Sequence, residues 1–207
     1  MSNAFAKDAG TAAYYDQRAR EYDDWYTGEG RFASRDRPGW RDEVIRLVEF
    51  VSELPGARTL DIACGSGFLT RHLKGMVVAL DQSPAMVALT QSRLPDGVAI
   101  TGDALNLPFA DGAFDRVITG HFYGHLPEDE RSVFLAQARR VAAELIVIDT
   151  ARRPGVPASR TEERTLNDGS RHQVYKRFLS AEQLADEIGG EVLISGTWFV
   201  VARSVQG

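Results

Sequence analysis

The sequence predicts an α/β fold: a seven-stranded, mostly parallel sheet with helices on both faces, an antiparallel C-terminal strand and an N-terminal helical lid. Three observations carry this. Short apolar runs alternate with helical stretches between residues 58 and 149, the order that builds βαβ units. The runs are apolar nearly throughout rather than at alternate positions, as strands buried on both faces require. Acids close the runs, at Asp61, Asp81, Asp103 and Asp149, on the edge where open parallel sheets bind ligands.

The elements follow in order. Residues 11–26, TAAYYDQRAREYDDWY, read as a helix carrying Tyr15, Tyr22 and Tyr26. Residues 38–53 form an amphipathic helix, with Pro38 near its start and Val44, Ile45, Leu47, Val48 and Val51 on one face. Pro55-Gly56 ends it. A strand over 58–63, a helix over 68–74 and a strand over 76–80 come next. Ser83 caps a helix over 84–92 that has Pro84 at its first position. Strands at 98–101 and 114–119, a helix at 128–141 and a strand at 144–149 complete the alternation. Residues 151–178 break it. Pro154, Gly155 and Pro157 open the segment, and Asn167-Asp168-Gly169 turns between polar runs, a hairpin pattern. A helix over 181–188 capped by Ser180 and two antiparallel strands, 191–194 and 198–202, end the chain.

A length of 207 residues suits one domain over 1–207, with a lid over 1–37 and the 151–178 insertion as a substrate cap. Hydrophobic residues make up 43% and charged residues 26%, a soluble globular balance. No apolar run approaches the roughly 18 residues of a membrane span. The N-terminus lacks the basic-then-apolar order of a secretory signal, so the expectation is a cytoplasmic protein without a membrane partner. Ser2-Asn3-Ala4 reads as a tag remnant and is left out of the functional reading. Cys64 is the only cysteine, which excludes a disulfide framework and a cysteine zinc site; no metal is expected. The net charge is −5, and 21 of the 24 basic residues are arginines scattered beside acids. A nucleic-acid footprint is missing.

The loop Cys64-Gly65-Ser66-Gly67 follows the first strand. A dinucleotide fingerprint needs a small residue at position 70, which is Thr70. Asp61, just ahead of the loop, would repel a pyrophosphate and attract a cation. No Gly-Lys-Ser/Thr follows, so the loop is not a P-loop. A ligand with an adenine, a ribose and a cationic amino acid end suits the arrangement.

The ordered set LDIACGSG, ALDQSPAMV and GDALNLPFADGAFDRVIT, with YYDQRAREYDDWY ahead of it, resembles class I S-adenosylmethionine-dependent methyltransferases. The likeness covers residues 11–150 and is greatest to the small-molecule, ubiquinone/menaquinone-type branch. It implies a Rossmann-like sheet, S-adenosyl-L-methionine as cofactor, S-adenosyl-L-homocysteine as product, and in-line methyl transfer to an O, N or C nucleophile of a small molecule. Position by position, it places Asp61, Gly65 and Gly67 around the methionine moiety. Asp81 takes the ribose hydroxyls and Gln82 the adenosine. Asp103 and Ala104 take the adenine, with Ala63, Gly102 and Leu105 in the same shell. Thr119, Gly120 and His121 stand near the sulfonium, and Tyr22 is a lid contact. The Pro-Gly-Gly turn common before the fifth strand is missing from RRVAAELIVIDT, so that connection is shortened.

His121 and His125, in HFYGHLP, are the candidate general bases; in the family it resembles, His125 also suits packing or capping. His172 reads as an exposed polar residue. Cys64 inside the loop reads as a small buried residue rather than a nucleophile. The Asn/Asp-Pro-Pro-aromatic motif of base-modifying enzymes is replaced by GHFY, which weighs against base flipping. Tyr14, Tyr15, Trp25, Tyr26, Phe122, Tyr123, Tyr175 and Phe178 are available to line an apolar or aromatic acceptor pocket. Arg31, Arg35 and Arg37 read as solvated surface charge, with an anionic acceptor as the other possibility. The alternatives are a protein or RNA methyltransferase and a non-catalytic cofactor-binding protein. A monomer or a homodimer is expected, and the acceptor stays open.

Overall fold

The computed structural model describes residues 9–206; residues 2–4, read above as a tag remnant, lie outside the described residues. The sheet grows outward from β1 (Ala57–Ile62). This strand pairs in parallel with β2 (Gly75–Asp81) on one side and β4 (Phe114–Gly120) on the other. β3 (Val98–Thr101) extends the first side and β5 (Ala142–Thr150) the second, again in parallel. β9 (Phe199–Val205) runs antiparallel to β5, and β8 (Glu191–Ser195) antiparallel to β9. The seven-stranded order is therefore β3-β2-β1-β4-β5-β9-β8. The order reverses between β1 and β4, which opens a crevice above their C-terminal ends.

Burial explains why the strand sequences are apolar throughout. On one face Leu60, Ile62, Val117 and Val147 pack with Phe134 and Ala138 of α5 (Glu128–Val141) and Leu184 and Ile188 of α6 (Ala181–Ile188). On the other, Ile118, Ile146 and Ile148 pack with Val44, Leu47 and Val51 of α3 (Trp40–Glu53). Ile45 is 45% exposed, so it leaves the apolar face of α3 assigned to it above. α4 (Pro84–Arg93) starts with Ser83 Oγ accepting from Met86 N–H at 3.2 Å. Ser180 and Gln183 close a capping box on α6.

Two predicted helices differ. The helix over 68–74 is only a 3-10 turn, Thr70–His72. Gly65 (φ 55°) and Gly67 (φ 75°) turn the chain back in the left-handed region, and Gly75 must already pair with Ala57. Too few residues remain for a longer helix. The N-terminal helix is broken into α1 (Ala9–Arg18), a 3-10 turn over Ala19–Glu21 and α2 (Asp24–Thr27). At the break the Asp23 carboxylate accepts from Ser66 Oγ at 2.5 Å and pairs with Arg93 at 2.7 Å. The chain bends down onto the glycine loop to make those contacts. Asp16 is likewise bound to Ser83 Oγ and, at 3.1 Å, to Ala85 N–H.

The 151–178 segment forms a two-stranded antiparallel hairpin, β6 (Ser159–Thr165) and β7 (Arg171–Arg177). Leu166 and Val174 pack on Tyr14 of α1, and the Glu21 carboxylate accepts from Asn167 N–H at 2.9 Å. A buried ion pair ties the hairpin to the main sheet: Lys176 Nζ lies 2.5 Å from Asp149 Oδ1. The other Asp149 oxygen accepts from Gly124 N–H at 2.7 Å. Among the described residues no helix is long and apolar enough to cross a membrane.

Removing one member of such a pair leaves the other buried and uncompensated, a loss of roughly 3–5 kcal/mol. Lys176→Met should lower the unfolding free energy read from a urea titration by that amount, with the midpoint falling accordingly, and adding Asp149→Asn should restore part of it. An unchanged midpoint in Lys176→Met would show that the pair does not hold the hairpin.

Candidate active site

The crevice is lined by acids at strand ends. Asp61 is buried, and its Oδ2 accepts from the Thr70 hydroxyl at 2.6 Å. Thr70, which broke the dinucleotide pattern, is thus the Asp61 partner. Burial pushes Asp61 up to about 7, against the Thr70 hydrogen bond and with the Asp81 charge adding to the shift. Asp81 accepts from Gly65 N–H at 2.9 Å and Ser83 N–H at 3.0 Å. Burial still raises it to about 6. Each carboxylate oxygen retains capacity for a further donor.

Two residues other than glycine adopt the left-handed region among those described, Ala63 (φ 58°) and His121 (φ 60°). Such backbone is costly and clusters at binding sites. The backbone N–H of His121 donates to Ile148 O at 2.8 Å. Its ring packs edge-on to Trp25 at 4.7 Å, with Tyr26 and Phe199 alongside. Both ring nitrogens are buried without a hydrogen-bond partner, which is uncommon and asks for one. Burial lowers the His121 pKa to about 3, so the imidazole is neutral at physiological pH. His125 is buried too, and burial with the Lys176 charge keeps it well below the usual range. Its Nδ1 lies 2.6 Å from Tyr175 O. A carbonyl only accepts, so Nδ1 carries the proton and Nε2 is the basic nitrogen.

Three cavities meet here. One of ≈ 480 Å³, counting the solvent at its mouth, is lined by Ala63, Gly65, Asp81, Gln82, Gly102, Ala104, Gly120, His121 and Tyr22. A second, ≈ 400 Å³, lies across the glycine loop against Asp61, Ser66, Thr70 and Phe68. Tyr22 lines both, and a Cβ on Gly65 would stand 3.3 Å from its ring. A side chain there would press on the lid, and the positive φ of the position favours glycine as well. The third is a broad cleft between lid and hairpin, ≈ 2110 Å³ with the solvent at its mouth.

The remaining candidates divide. Asp103, after β3, accepts from Leu105 N–H at 2.8 Å. Leu105 itself belongs to the core. Gly67 packs on α4, where a Cβ would meet Thr90 Oγ1 at 2.9 Å. The Thr119 hydroxyl donates to Ile62 O at 2.7 Å, facing β1. Tyr14, Tyr15, Trp25 and Phe178 line the broad cleft, Phe122 and Tyr26 the smaller cavities. Tyr123 is instead a core residue, its hydroxyl 3.0 Å from Glu187 Oε2. Arg31, Arg35 and Arg37 line the broad cleft rather than standing as isolated surface charge. His172 is half-buried and tilted against Tyr14 at 4.9 Å. The Cys64 thiol is pushed well up by burial, so it holds its proton and is a poor nucleophile. Arg153, Trp40 and Trp198 join the cleft from distant segments, and no local motif signals them.

The raised Asp61 pKa gives a testable pH dependence. Below the unfolded carboxyl pKa of about 3.9 the group is neutral in both states. As pH rises through about 7 the folded state must bury a charge, and stability is lost. Asp61→Asn removes that loss. Its melting temperature relative to the unsubstituted chain should therefore rise between pH 5 and pH 8, by about 2–4 °C per kcal/mol. A difference independent of pH would contradict the assignment.

Residues 60–144 match the family model described as a methyltransferase domain. The demethylmenaquinone methyltransferase of Thermotoga maritima is 36% identical over 107 residues, 49% of this chain and 44% of that one. The phthiotriol/phenolphthiotriol dimycocerosates methyltransferase of Mycobacterium leprae is 35% identical over 151 residues, 68% of this chain and 50% of that one. The chain thus spans about half the length of the curated relatives it matches. Its fold is shared with the DhpI-SAM-HEP complex, at TM-score 0.76, 22% identity and 98% coverage of both chains. Carrying a methyltransferase domain that runs from β1 into β5, the chain is a class I S-adenosylmethionine-dependent methyltransferase related to the demethylmenaquinone methyltransferases.

Proposed function

We propose that the chain binds S-adenosylmethionine across the glycine loop and transfers its methyl group to a small molecule. The observation that carries this reading is the place of His121, which lines both the ≈ 480 Å³ cavity and the broad cleft. One cavity takes a cofactor, the other an acceptor, and a neutral imidazole stands where they join.

The residues fit the cofactor. Asp81, at the end of β2, has the acceptor oxygens for ribose hydroxyls, with Gln82 beside it. Gly102, Asp103 and Ala104 close the adenine end. Asp61 is a buried carboxylate with a hydroxyl as its hydrogen-bond partner, so a cationic amino group would lower its raised pKa and recover the cost of its burial. Tyr22 covers the loop between the two ends. When bound, S-adenosylmethionine supplies an electrophilic methyl group on a sulfonium. The protein's part is alignment and exclusion of water. Trp25, Tyr26 and Phe199 wall His121, and its ring nitrogen is free to accept the proton of a hydroxyl or amine nucleophile. His125, hydrogen-bonded to Tyr175 of the hairpin, is the second base within the cleft. The lid and the hairpin cap the acceptor.

Titration calorimetry with S-adenosylhomocysteine tests the cofactor site. The unsubstituted chain should bind, and Asp81→Ala should weaken binding roughly 10- to 100-fold, the loss of one or two hydrogen bonds to a charged group. Unaltered affinity in Asp81→Ala would remove the ribose role. A metabolite screen for S-adenosylhomocysteine release then separates an enzyme from a protein that only binds the cofactor.

A further inference from the structure

The broad cleft carries a charge imbalance that the cofactor site does not use. Its lining includes Arg18, Arg31, Arg35, Arg37 and Arg153, and among the described residues none of these makes an ion pair. The lining carboxylates are largely committed elsewhere. Glu162 is shared by Arg160 at 2.7 Å and Arg164 at 3.4 Å. Glu163 pairs with Arg171 at 3.3 Å, and Glu21 accepts from Asn167 N–H. Lys176 is held by Asp149. Among the described residues Glu21 and Asp36 are the lining acids without an ion pair, and the Glu162 charge also reaches Arg35 and Arg153, so the arginines outnumber the acids that face them.

Two of these guanidinium groups are built into the wall. Arg37 lies with Cζ 3.9 Å from the Trp40 ring centre, and Arg153 with Cζ 3.9 Å from that of Trp198. The two indoles are themselves in contact, 5.3 Å apart and nearly perpendicular. Arg37 Nη1 donates to Trp25 O at 3.0 Å, which fixes its fork. Arg153 Nε is buried and has no hydrogen-bond partner. Burial and mutual repulsion, from Arg35 and Arg153 on Arg37 and from Arg160 on Arg153, oppose their charge, and for Arg153 the Glu162 carboxylate offsets only part of this. Like charges gathered on a rigid aromatic floor, with a donor left over, call for an anion.

The floor also leads to the reaction centre. Trp40 touches Trp25 at 4.8 Å, and Trp25 touches His121 at 4.7 Å. We propose that Arg37 and Arg153 form an oxyanion fork that anchors the methyl acceptor by a carboxylate or phosphoryl group, with an apolar spacer along Trp40 and Trp25 carrying the nucleophile to His121. This places the acceptor among small anionic molecules in which the charged group and the methylated atom are separated. It also replaces the apolar acceptor expected from the aromatic residues alone. The inference rests on the methyltransferase reading for the role of the cleft, but anion binding can be tested without turnover.

The test titrates the full chain, saturated with S-adenosylhomocysteine, with phenylphosphonate, benzoate and the uncharged benzamide. At least one anion should bind tenfold or more tightly than benzamide, and its affinity should fall with rising salt. Binding of phenylphosphonate alone assigns a phosphoryl source, of benzoate alone a carboxylate. Arg153→Gln and Arg37→Gln should each weaken the anion at least fivefold while S-adenosylhomocysteine affinity stays within twofold, which also shows that the variants are folded. Equal affinity for benzamide, no anion binding at millimolar concentration, or anion affinity unchanged in both variants would overturn the fork. The ligand series on the unsubstituted chain decides the matter even if a variant fails to fold. Failure of S-adenosylhomocysteine to bind would instead strike the cofactor reading, and the same anion titrations without it would still judge the fork.

Discussion

Burying carboxylates at the C-terminal edge of the sheet is the constraint around which the molecule is arranged. Parallel strands bring Asp61, Asp81 and Asp149 to one edge, and the packing above removes them from water. A desolvated carboxylate must be compensated or protonated. The three are compensated unequally. Asp149 has Lys176, Gly124 N–H and Thr150 N–H and is held below the usual carboxylate range despite its burial. Asp81 has backbone donors and rises to about 6. Asp61 has a hydroxyl and rises to about 7. The gradient runs from a structural charge to groups whose balance is completed by a ligand.

The peripheral elements depend on the same edge. The hairpin is anchored by Lys176 on Asp149, and Gly124 lies beneath that pair, where a Cβ would meet Lys176 Nζ at 3.0 Å and Arg177 O at 2.8 Å. The lid reaches the sheet with its own acids: Asp16 at the start of α4, Asp23 at the glycine loop, Glu21 at the hairpin turn. Lid and hairpin are thus each tied to the loops above the strands and also touch each other directly, Tyr14 on Leu166 and Val174 and Glu21 on Asn167. The broad cleft is the space between two tethered elements, and the arginines on its walls come from both.

Much of this was legible in the sequence where the information is local. Apolar runs marked every strand of the main sheet; in the central strands double burial leaves no polar face, while the edge strands β3 and β8 are partly exposed. Ser83-Pro84 and Ser180 marked the starts of α4 and α6 through capping chemistry that acts within a few residues. Asp81, Gly102 and Ala104 stand at or just past the ends of β2 and β3 and line one cavity, a position readable from sequence because the loops there are short. Long-range contacts decided the rest. The helix predicted over 68–74 was lost to the close approach of Gly75 and Ala57, set by strand pairing. The break near Asp23 answers to Ser66 and Arg93, far along the chain. Thr119, within β4, and Leu105, in the loop after β3, stand close to the crevice, yet their side chains turn into the fold, a matter of one residue in register. Arg37 and Arg153 line the same cleft from widely separated segments, and no pattern in either segment announces the other.

The indole ladder has a practical consequence. The chain has only three tryptophans, and Trp25, Trp40 and Trp198 are all in that one contact chain, with no indole elsewhere in the fold. Intrinsic fluorescence is accordingly a local signal of the cleft wall rather than an average over the molecule. Its emission reports on events between lid, α3 and the loop before β9, while unfolding of α5 or α6 alone passes unseen by this probe.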